Sequence, residues 1–390
     1  MKILSYVKLS IFFTGLALLF FSCSKESDGG TQPVTPPSVE GKGDISLLTD
    51  GKRQTEYKAQ GGNVSFDLGN SKQALAAYSI YTGGTDVSFD PQSWVVKGSN
   101  DGENWEKIDE QKAISFSARY QRTFFVLPSV VNFKKVRFEM QSKGGKELHV
   151  AEIELLDRNP NKGWESFAFP SIIFSDEASS SLGSKYYAQM VQDKKVYLQY
   201  HALEVAKLLY FSDKDKHSGM NTLRYVIKDY DGISAKSGNP PAVTIEYSTR
   251  HIERSFQESL FKLDYETRGV LFHELTHAYQ LEPKGIGTYA DKVFWSIVEG
   301  MADAVRIQAG FVDFKDRRSG GDYRDGYKVT GFFIQWLTTK DADAIRKMNA
   351  SMNVLNPWSY DGAVKYIFGE QATVSGLWNE YQAYLKSQNQ

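Results

Sequence analysis

Two histidines and a glutamate fall in the string His273-Glu274-Leu275-Thr276-His277. Val270, Leu271, Leu275 and Ala278 form an apolar stripe around it, which predicts a helix from residue 268 to about 281. On a helix His273 and His277 are i and i+4, so both imidazoles can converge on one Zn²⁺, with Glu274 beside the water to be activated. The chain has six histidines and one cysteine, which excludes intrachain disulfides and a Cys-rich zinc site. Any metal site must therefore combine His with Asp or Glu. The plain alternative is a surface helix with incidental histidines, and a third ligand decides between the two.

A third ligand placed as in metzincins is excluded, because position 280 is Gln280 and position 283 is Pro283. Residues 295–305 form a second helical pattern in which Glu299 and Asp303 are again i and i+4, so both carboxylates point the same way. HExxH followed by ExxxD resembles the gluzincin pattern of thermolysin-like peptidases. The resemblance implies Glu299 as third zinc ligand and Asp303 as the acceptor that orients a ligand histidine through its free ring N–H. The alternative is an exposed pair of helical carboxylates. The resemblance narrows on residues 243–252, 269–280, Val298-Glu299-Gly300-Met301-Ala302-Asp303 and 325–337, which look like the basic secretory protein family of plant and bacterial zinc peptidases. It covers about residues 168–385, and it implies a zincin-like metallopeptidase acting on protein substrates. Two departures bear on substrate preference: the chain is not basic, and Tyr279-Gln280-Leu281-Glu282 replaces a Trp-rich stretch.

With that resemblance, Glu274 is expected to take a proton from water and pass it to the leaving amine. The strand at residues 243–248 is expected at a sheet edge, where an extended substrate would add by main-chain hydrogen bonds. A donor for the tetrahedral oxyanion is also needed, and Tyr327 in Asp325-Gly326-Tyr327 is the candidate. Its alternative is a buried tyrosine with a satisfied hydroxyl. His251 and His201 are weaker candidates, since lone histidines are usually structural. Gly320, Gly321 and Gly326 make the preceding loop a pliable rim.

These residues need a scaffold. After the turn-rich run at 159–163, a long helix over residues 185–209 mixes with strands at 223–227 and 243–247, an α+β pattern. Before it, short β-branched and aromatic runs at 64–68, 77–81, 94–98, 124–127 and 135–140 alternate with period two, which predicts an all-β sandwich or jelly roll. The stretches Leu48-Thr49-Asp50-Gly51, 96–105 and Ala151-Glu152-Ile153 resemble the discoidin-like (coagulation factor C-type) galactose-binding fold. That resemblance implies glycan or cell-surface binding and a structural Ca²⁺ held near Asp50, Thr55 and Glu152, whose hard oxygens suit the ion. The alternative is that Asp50 caps a turn and Glu152 faces solvent. Tyr57, Tyr81, Phe89 and Trp94 are candidate sugar platforms, against a role in the core, and the whole region can equally be a spacer.

The amino terminus reads as an address. Lys2 and Lys8 frame the start of the apolar run 9–21, which ends at Ser22-Cys23 and is short for a membrane-spanning helix. Phe20-Phe21-Ser22-Cys23 resembles a bacterial lipobox, which implies removal of residues 1–22 and lipidation of Cys23. Ser24-Lys25-Glu26-Ser27-Asp28 is similar to the export signal of Bacteroidetes surface lipoproteins, which implies an outer-membrane protein facing outward. The expected organisation is a leader at 1–22, a tether at 23–43, a sandwich at 44–158 and a metallopeptidase domain at 159–390. With 46 basic and 47 acidic residues the chain offers no basic field for nucleic acid. The function expected is a lipid-anchored zinc peptidase targeted to glycoproteins by its sandwich. The rivals are an inactive surface glycan-binding adhesin, against which the intact Glu274 argues, and a metalloenzyme acting on a non-peptide bond.

Overall fold

Period-two burial in the N-terminal part demands strands with one face turned inward, and the computed structural model contains them. It describes residues 39–40, 43–71 and 74–388; the leader, Cys23 and nearly all of the tether lie outside the described residues. Among the described residues the first part holds β1 (Val39–Glu40), β2 (Tyr57–Gln60), β3 (Asn63–Gly69), β4 (Leu75–Tyr81) and β5 (Pro91–Ser99). It continues with β6 (Glu106–Gln111), β7 (Arg122–Val131), β8 (Lys135–Ser142), β9 (Glu147–Val150) and β10 (Glu152–Leu156). One sheet has the order β1-β3-β8-β5-β6 and a second β10-β4-β7, with β2 and β9 paired apart. Their inner faces meet through rings: Tyr78 of β4 meets Phe138 of β8 edge-on at 5.4 Å, and Phe125 of β7 meets Trp94 of β5 edge-on at 4.9 Å. The Trp94 indole N–H donates to the Tyr78 hydroxyl at 2.7 Å, and that hydroxyl donates to Asp109 at 2.6 Å. This is a β-sandwich. Its packing corrects two of the expected sugar platforms, since Tyr57 and Trp94 are 0% and 2% exposed and belong to the core. Phe89 stacks on His149 at 4.3 Å, and Tyr81, half-buried beneath the Arg122 guanidinium, lines a cavity.

The second part is α+β. Strands β11 (Ser171–Asp176), β12 (Thr222–Lys228) and β14 (Ala242–Ser248) run parallel, and β13 (Ser234–Asn239) closes the order β11-β12-β14-β13 antiparallel to its neighbour. The strand expected at the edge, β14, is therefore internal, burying Val243, Ile245 and Tyr247. The edge on that side is β13, whose polar Ser-Ala-Lys-Ser-Gly-Asn sequence carries no apolar alternation, a common property of edge strands. The expected single helix over 185–209 is two helices, α1 (Leu182–Met190) and α2 (Lys194–Leu209). The break has a purpose: Val191 bridges to Ala118 of the sandwich, and the Gln192 and Asp193 amides both donate to the Ser117 carbonyl at 2.8 and 2.9 Å. Asp193 then caps α2 through the Val196 amide at 3.0 Å. Both parts thus fall in one compact unit, residues 38–390. The remaining helices are α3 (Thr249–Glu258), α4 (Leu260–Tyr279), α5 (Lys292–Gln308), α6 (Tyr327–Leu337), α7 (Ala344–Val354), α8 (Tyr360–Phe368) and α9 (Val374–Ser387). Among the described residues no helix is long and apolar enough to cross a membrane.

Candidate metal and catalytic site

Three helices build the site. The Ser259 hydroxyl accepts from the Lys262 amide at 2.9 Å and starts α4 earlier than the stripe at 268 foretells. Asp291 starts α5 by accepting from the Val293 and Phe294 amides at 2.8 and 3.3 Å. Glycines let α6 press against α5: a Cβ on Gly331 would lie 2.8 Å from Asp303 Cβ, and one on Gly300 would lie 2.3 Å from Thr330 Cγ2. Either methyl would push α6 away from the carboxylates of α5.

The consequence is a small triangle of ligand atoms. His273 Nε2 lies 3.2 Å from His277 Nε2 and 3.3 Å from Glu299 Oε2, and His277 Nε2 lies 3.5 Å from the same oxygen. Each ring is held from behind by Nδ1: His273 donates to Asp303 at 2.9 Å, and the Gln280 amide sits 3.0 Å from His277 Nδ1. Both Nε2 atoms therefore turn toward Glu299. Among the described residues this is the group of His and carboxylate side chains able to hold a metal ion. Three carboxylates, Glu274, Glu299 and Asp303, are buried around two imidazoles, so the site calls for positive charge. Burial works against a charged His273, but the Asp303 and Glu299 carboxylates outweigh it and hold its pKa up at about 9. Burial likewise opposes ionisation of Glu299, yet contacts with His273 and His277 keep its carboxyl well below the usual range.

Around the triangle stand residues of different legibility. Glu274 is 7% exposed and accepts from the Ser234 hydroxyl of β13 at 2.5 Å, which leaves its second oxygen free. The Tyr327 ring lies parallel to His273 at 6.1 Å and is 49% exposed. Its φ of 38° follows Gly326 at 71°, and a bulky side chain held there costs about 1–3 kcal/mol, a strain that concentrates at functional sites. Burial and the Glu299 and Asp303 charges raise the Tyr327 pKa, so its hydroxyl stays a donor. Tyr289, Ser234 and the role of Gln280 are absent from the sequence reading. The Tyr289 hydroxyl donates to Glu299 from the loop between α4 and α5, where no pattern singles it out. The two alternative histidines are elsewhere. His201 is fully buried, donates Nδ1–H to the Tyr197 carbonyl at 2.7 Å and is kept neutral by burial and Arg268; His251 faces Glu266 at 3.7 Å.

One family model matches residues 171–381, 211 of the 390 residues, and its description is "Peptidase of plants and bacteria". The chain belongs to the BSP family. In this BSP peptidase-family chain the matched region contains all of β11 to α8 and most of α9, and with it His273, Glu274, His277, Glu299 and Tyr327. No curated protein sequence matches the chain. The N-terminal region resembles solved carbohydrate-binding and F5/8 type C modules. A family 32 module from Clostridium perfringens, in complex with GalNAc-β-1,3-galactose, is 16% identical over 30% of this chain and 86% of that one, with a TM-score of 0.26. An F5/8 type C domain from Bacteroides fragilis is 17% identical over 29% and 80%, also at 0.26.

In the sandwich of this BSP chain the three residues expected at calcium do converge. Asp50 accepts from the Thr55 hydroxyl at 2.8 Å, and Glu152 accepts from the Gly51 amide at 3.0 Å. Burial and the nearby Asp50 charge push the Glu152 pKa up to about 7.

Proposed function

We propose that the chain is a zinc-dependent metallopeptidase hydrolysing peptide bonds of proteins, glycoproteins among them, with Glu274 as general base. The observation that carries this reading is the triangle of 3.2, 3.3 and 3.5 Å between His273, His277 and Glu299. Ligands about 2.0–2.1 Å from one tetrahedral Zn²⁺ lie about 3.3–3.4 Å apart, so these side chains fit the ion without rearrangement. Two imidazoles and a carboxylate also suit zinc better than the all-oxygen cations. When bound, zinc supplies a Lewis acid that polarises the scissile carbonyl and makes water acidic.

The protein's own residues do the rest. Asp303 and Gln280 fix the ring orientations. Ser234 pins one oxygen of Glu274, so the other takes the proton from the attacking water and delivers it to the leaving amine. Tyr327 donates to the carbonyl oxygen as its charge develops. Two cavities of about 600 Å³ each share Ser234, His273, Glu274 and Tyr327, giving a groove that continues past the catalytic atoms in both directions. Beside it runs β13, paired with β14 alone among the described residues, so its outer edge can take an extended polypeptide by main-chain hydrogen bonding. The groove supports a polymeric substrate over a small one. We further propose that the sandwich binds carbohydrate and that lipid-modified Cys23 displays the enzyme on the outer face of the outer membrane.

The test is metal analysis of the purified chain together with incubation in a glycoprotein mixture and mapping of the new termini. One equivalent of zinc and new peptide termini are expected; zinc without new termini would leave a metalloprotein that is not a peptidase. Gln280→Leu and Asp303→Asn are each expected to weaken zinc binding by about 10–100-fold, read by chelator competition, because a ligand histidine loses its orienting partner.

The sandwich site gives a pH prediction. Glu152 has a folded pKa of about 7, above its unfolded value, so the fold holds its proton more tightly. The stability this contributes is complete below the unfolded pKa and is lost as pH rises through about 7. A calcium ion held by Asp50 and Glu152 would offset that loss. Thermal melts at pH 8 are expected to shift upward with Ca²⁺ in wild type and to be unmoved in Glu152→Gln; a wild type insensitive to Ca²⁺ refutes the site.

A further inference from the structure

A separate cavity of about 460 Å³ lies between the sandwich and the helices, and it plays no part in the proposed hydrolysis. Its size is within the range of about 300–1,000 Å³ typical of small-ligand sites. Five cations line it, Arg53, Arg122, Lys207, Arg268 and Arg346, against the single carboxylate of Glu204. Their partners cancel them only in part. Arg53 and Arg268 share Asp264, Arg122 pairs with Glu154, Lys207 with Glu204 and Arg346 with Asp343, so five positive charges meet four negative ones. Three of those four carboxylates, Asp264, Glu154 and Asp343, lie outside the lining. The cavity therefore presents net positive charge.

Its walls are aromatic. Tyr81 and Tyr120 come from the sandwich, Tyr200 from α2, and Phe272 and Phe311 from the peptidase core. The Arg122 guanidinium is ordered over Tyr81 and Phe124 at 5.4 and 4.3 Å, and Arg53 over Phe261 and Phe311 at 5.6 and 5.4 Å. Aromatic walls pack against the C–H face of a pyranose, and preordered guanidiniums donate to a carboxylate. A phosphate is a poorer fit. The helices reach the cavity near their carbonyl ends, through Lys207 and Leu208 of α2 and through Ala309 and Gly310 after α5, and such ends disfavour any anion, a dianion more than a single carboxylate.

We propose that this cavity is a binding site for an acidic sugar, a pyranose packed between the walls formed by Tyr81, Tyr120 and Tyr200 with its carboxylate between Arg122 and Lys207. The site takes residues from both parts of the chain, unlike a site confined to the sandwich. It does not depend on the peptidase reading, and it borders α4 at Phe272, the residue before His273.

The experiment titrates the full-length chain with D-glucuronate, D-galacturonate, D-glucose and inorganic phosphate by calorimetry and saturation-transfer NMR. At least one uronate is expected to bind about tenfold or more tighter than glucose, and phosphate no tighter than glucose. Arg122→Gln with Lys207→Met is expected to raise the uronate Kd by about tenfold or more, the loss of charge-assisted hydrogen bonds. Both side chains are partly exposed, so the double variant should fold, which a melt verifies. Glu204→Gln acts in the opposite sense and should tighten the uronate about threefold, since it removes the one lining carboxylate. The proposal is overturned by uronate binding no better than glucose, by an unchanged Kd in the double variant, or by phosphate displacing the uronate at equal concentration.

Discussion

Glu274→Gln is expected to lower kcat on a peptide substrate by about 10³-fold, within the 10²–10⁴ range for removing a general base, while the bound metal stays at one equivalent. The glutamine keeps the shape and can still accept from the Ser234 hydroxyl, so α4 and the ligand triangle are left in place. What it lacks is an oxygen able to take a proton from water. KM should change little, because the groove and the β13 edge are untouched. His277→Ala separates metal from base: it removes one corner of the triangle and should lose both activity and metal. Ser234→Ala should sit between, about tenfold down in kcat, since Glu274 remains a base but is free to turn. A Glu274→Gln enzyme retaining a tenth or more of wild-type kcat would give the proton transfer to another group. Tyr327 would not be that group, as its raised pKa keeps it a donor.

The parts of this site that can be read from sequence are those fixed by helix geometry. His273 and His277, and again Glu299 and Asp303, are each four residues apart, and a helix alone puts such residues on one face. That the two faces would meet could be inferred only by family resemblance. Ser234, Tyr289 and Gln280 reach the site by tertiary placement. Ser234 lies on a strand too polar to announce itself, and Tyr289 lies in a loop without periodicity. The same limit explains the misplaced sheet edge: an alternating strand such as β14 signals burial, not its position in the order. The aromatic residues fail for another reason. A ring in a strand contributes to core and binding face alike, and Tyr57 and Trp94 were distinguishable from Tyr81 only once both sheets were packed. Nor does a turn-rich run at 159–163 reveal that the sandwich docks on the peptidase part, because most of the docking atoms are backbone groups of residues 117, 119 and 120.

That docking sets the second large effect. Asp264→Asn is expected to cost about 3–5 kcal/mol of stability, the penalty for leaving a buried charge without its partner. Asp264 is fully buried on α4 and accepts from Arg268 Nε at 2.6 Å and from Arg53 Nη1 of the sandwich at 3.1 Å. Arg268, 3% exposed, sends its Nη2 across to the Arg119 and Tyr120 carbonyls at 3.2 Å each, and its Nη1 lies 3.3 Å from His201 Nε2. An asparagine leaves two guanidiniums facing each other with no negative charge between them. The sandwich should then melt apart from the peptidase part, so one cooperative transition becomes two in calorimetry. Arg53→Met should cost about 1 kcal/mol or less, because that side chain is partly exposed and Arg268 still satisfies Asp264. Replacing the pair together, Asp264→Leu with Arg268→Met, should recover most of the loss, since apolar packing can stand in for a buried ion pair. The recovery distinguishes a charge left unpaired from a lost dock: if the double variant regains stability but still shows two transitions, the carbonyl contacts of Arg268 hold the two parts together. A cost below about 1 kcal/mol for Asp264→Asn would mean that the pair is solvated, and the joint would then rest on the bridge at Ala118 and Val191 with the backbone hydrogen bonds beside it, from Gln192 and Asp193 to Ser117 and from Arg119 to Met190.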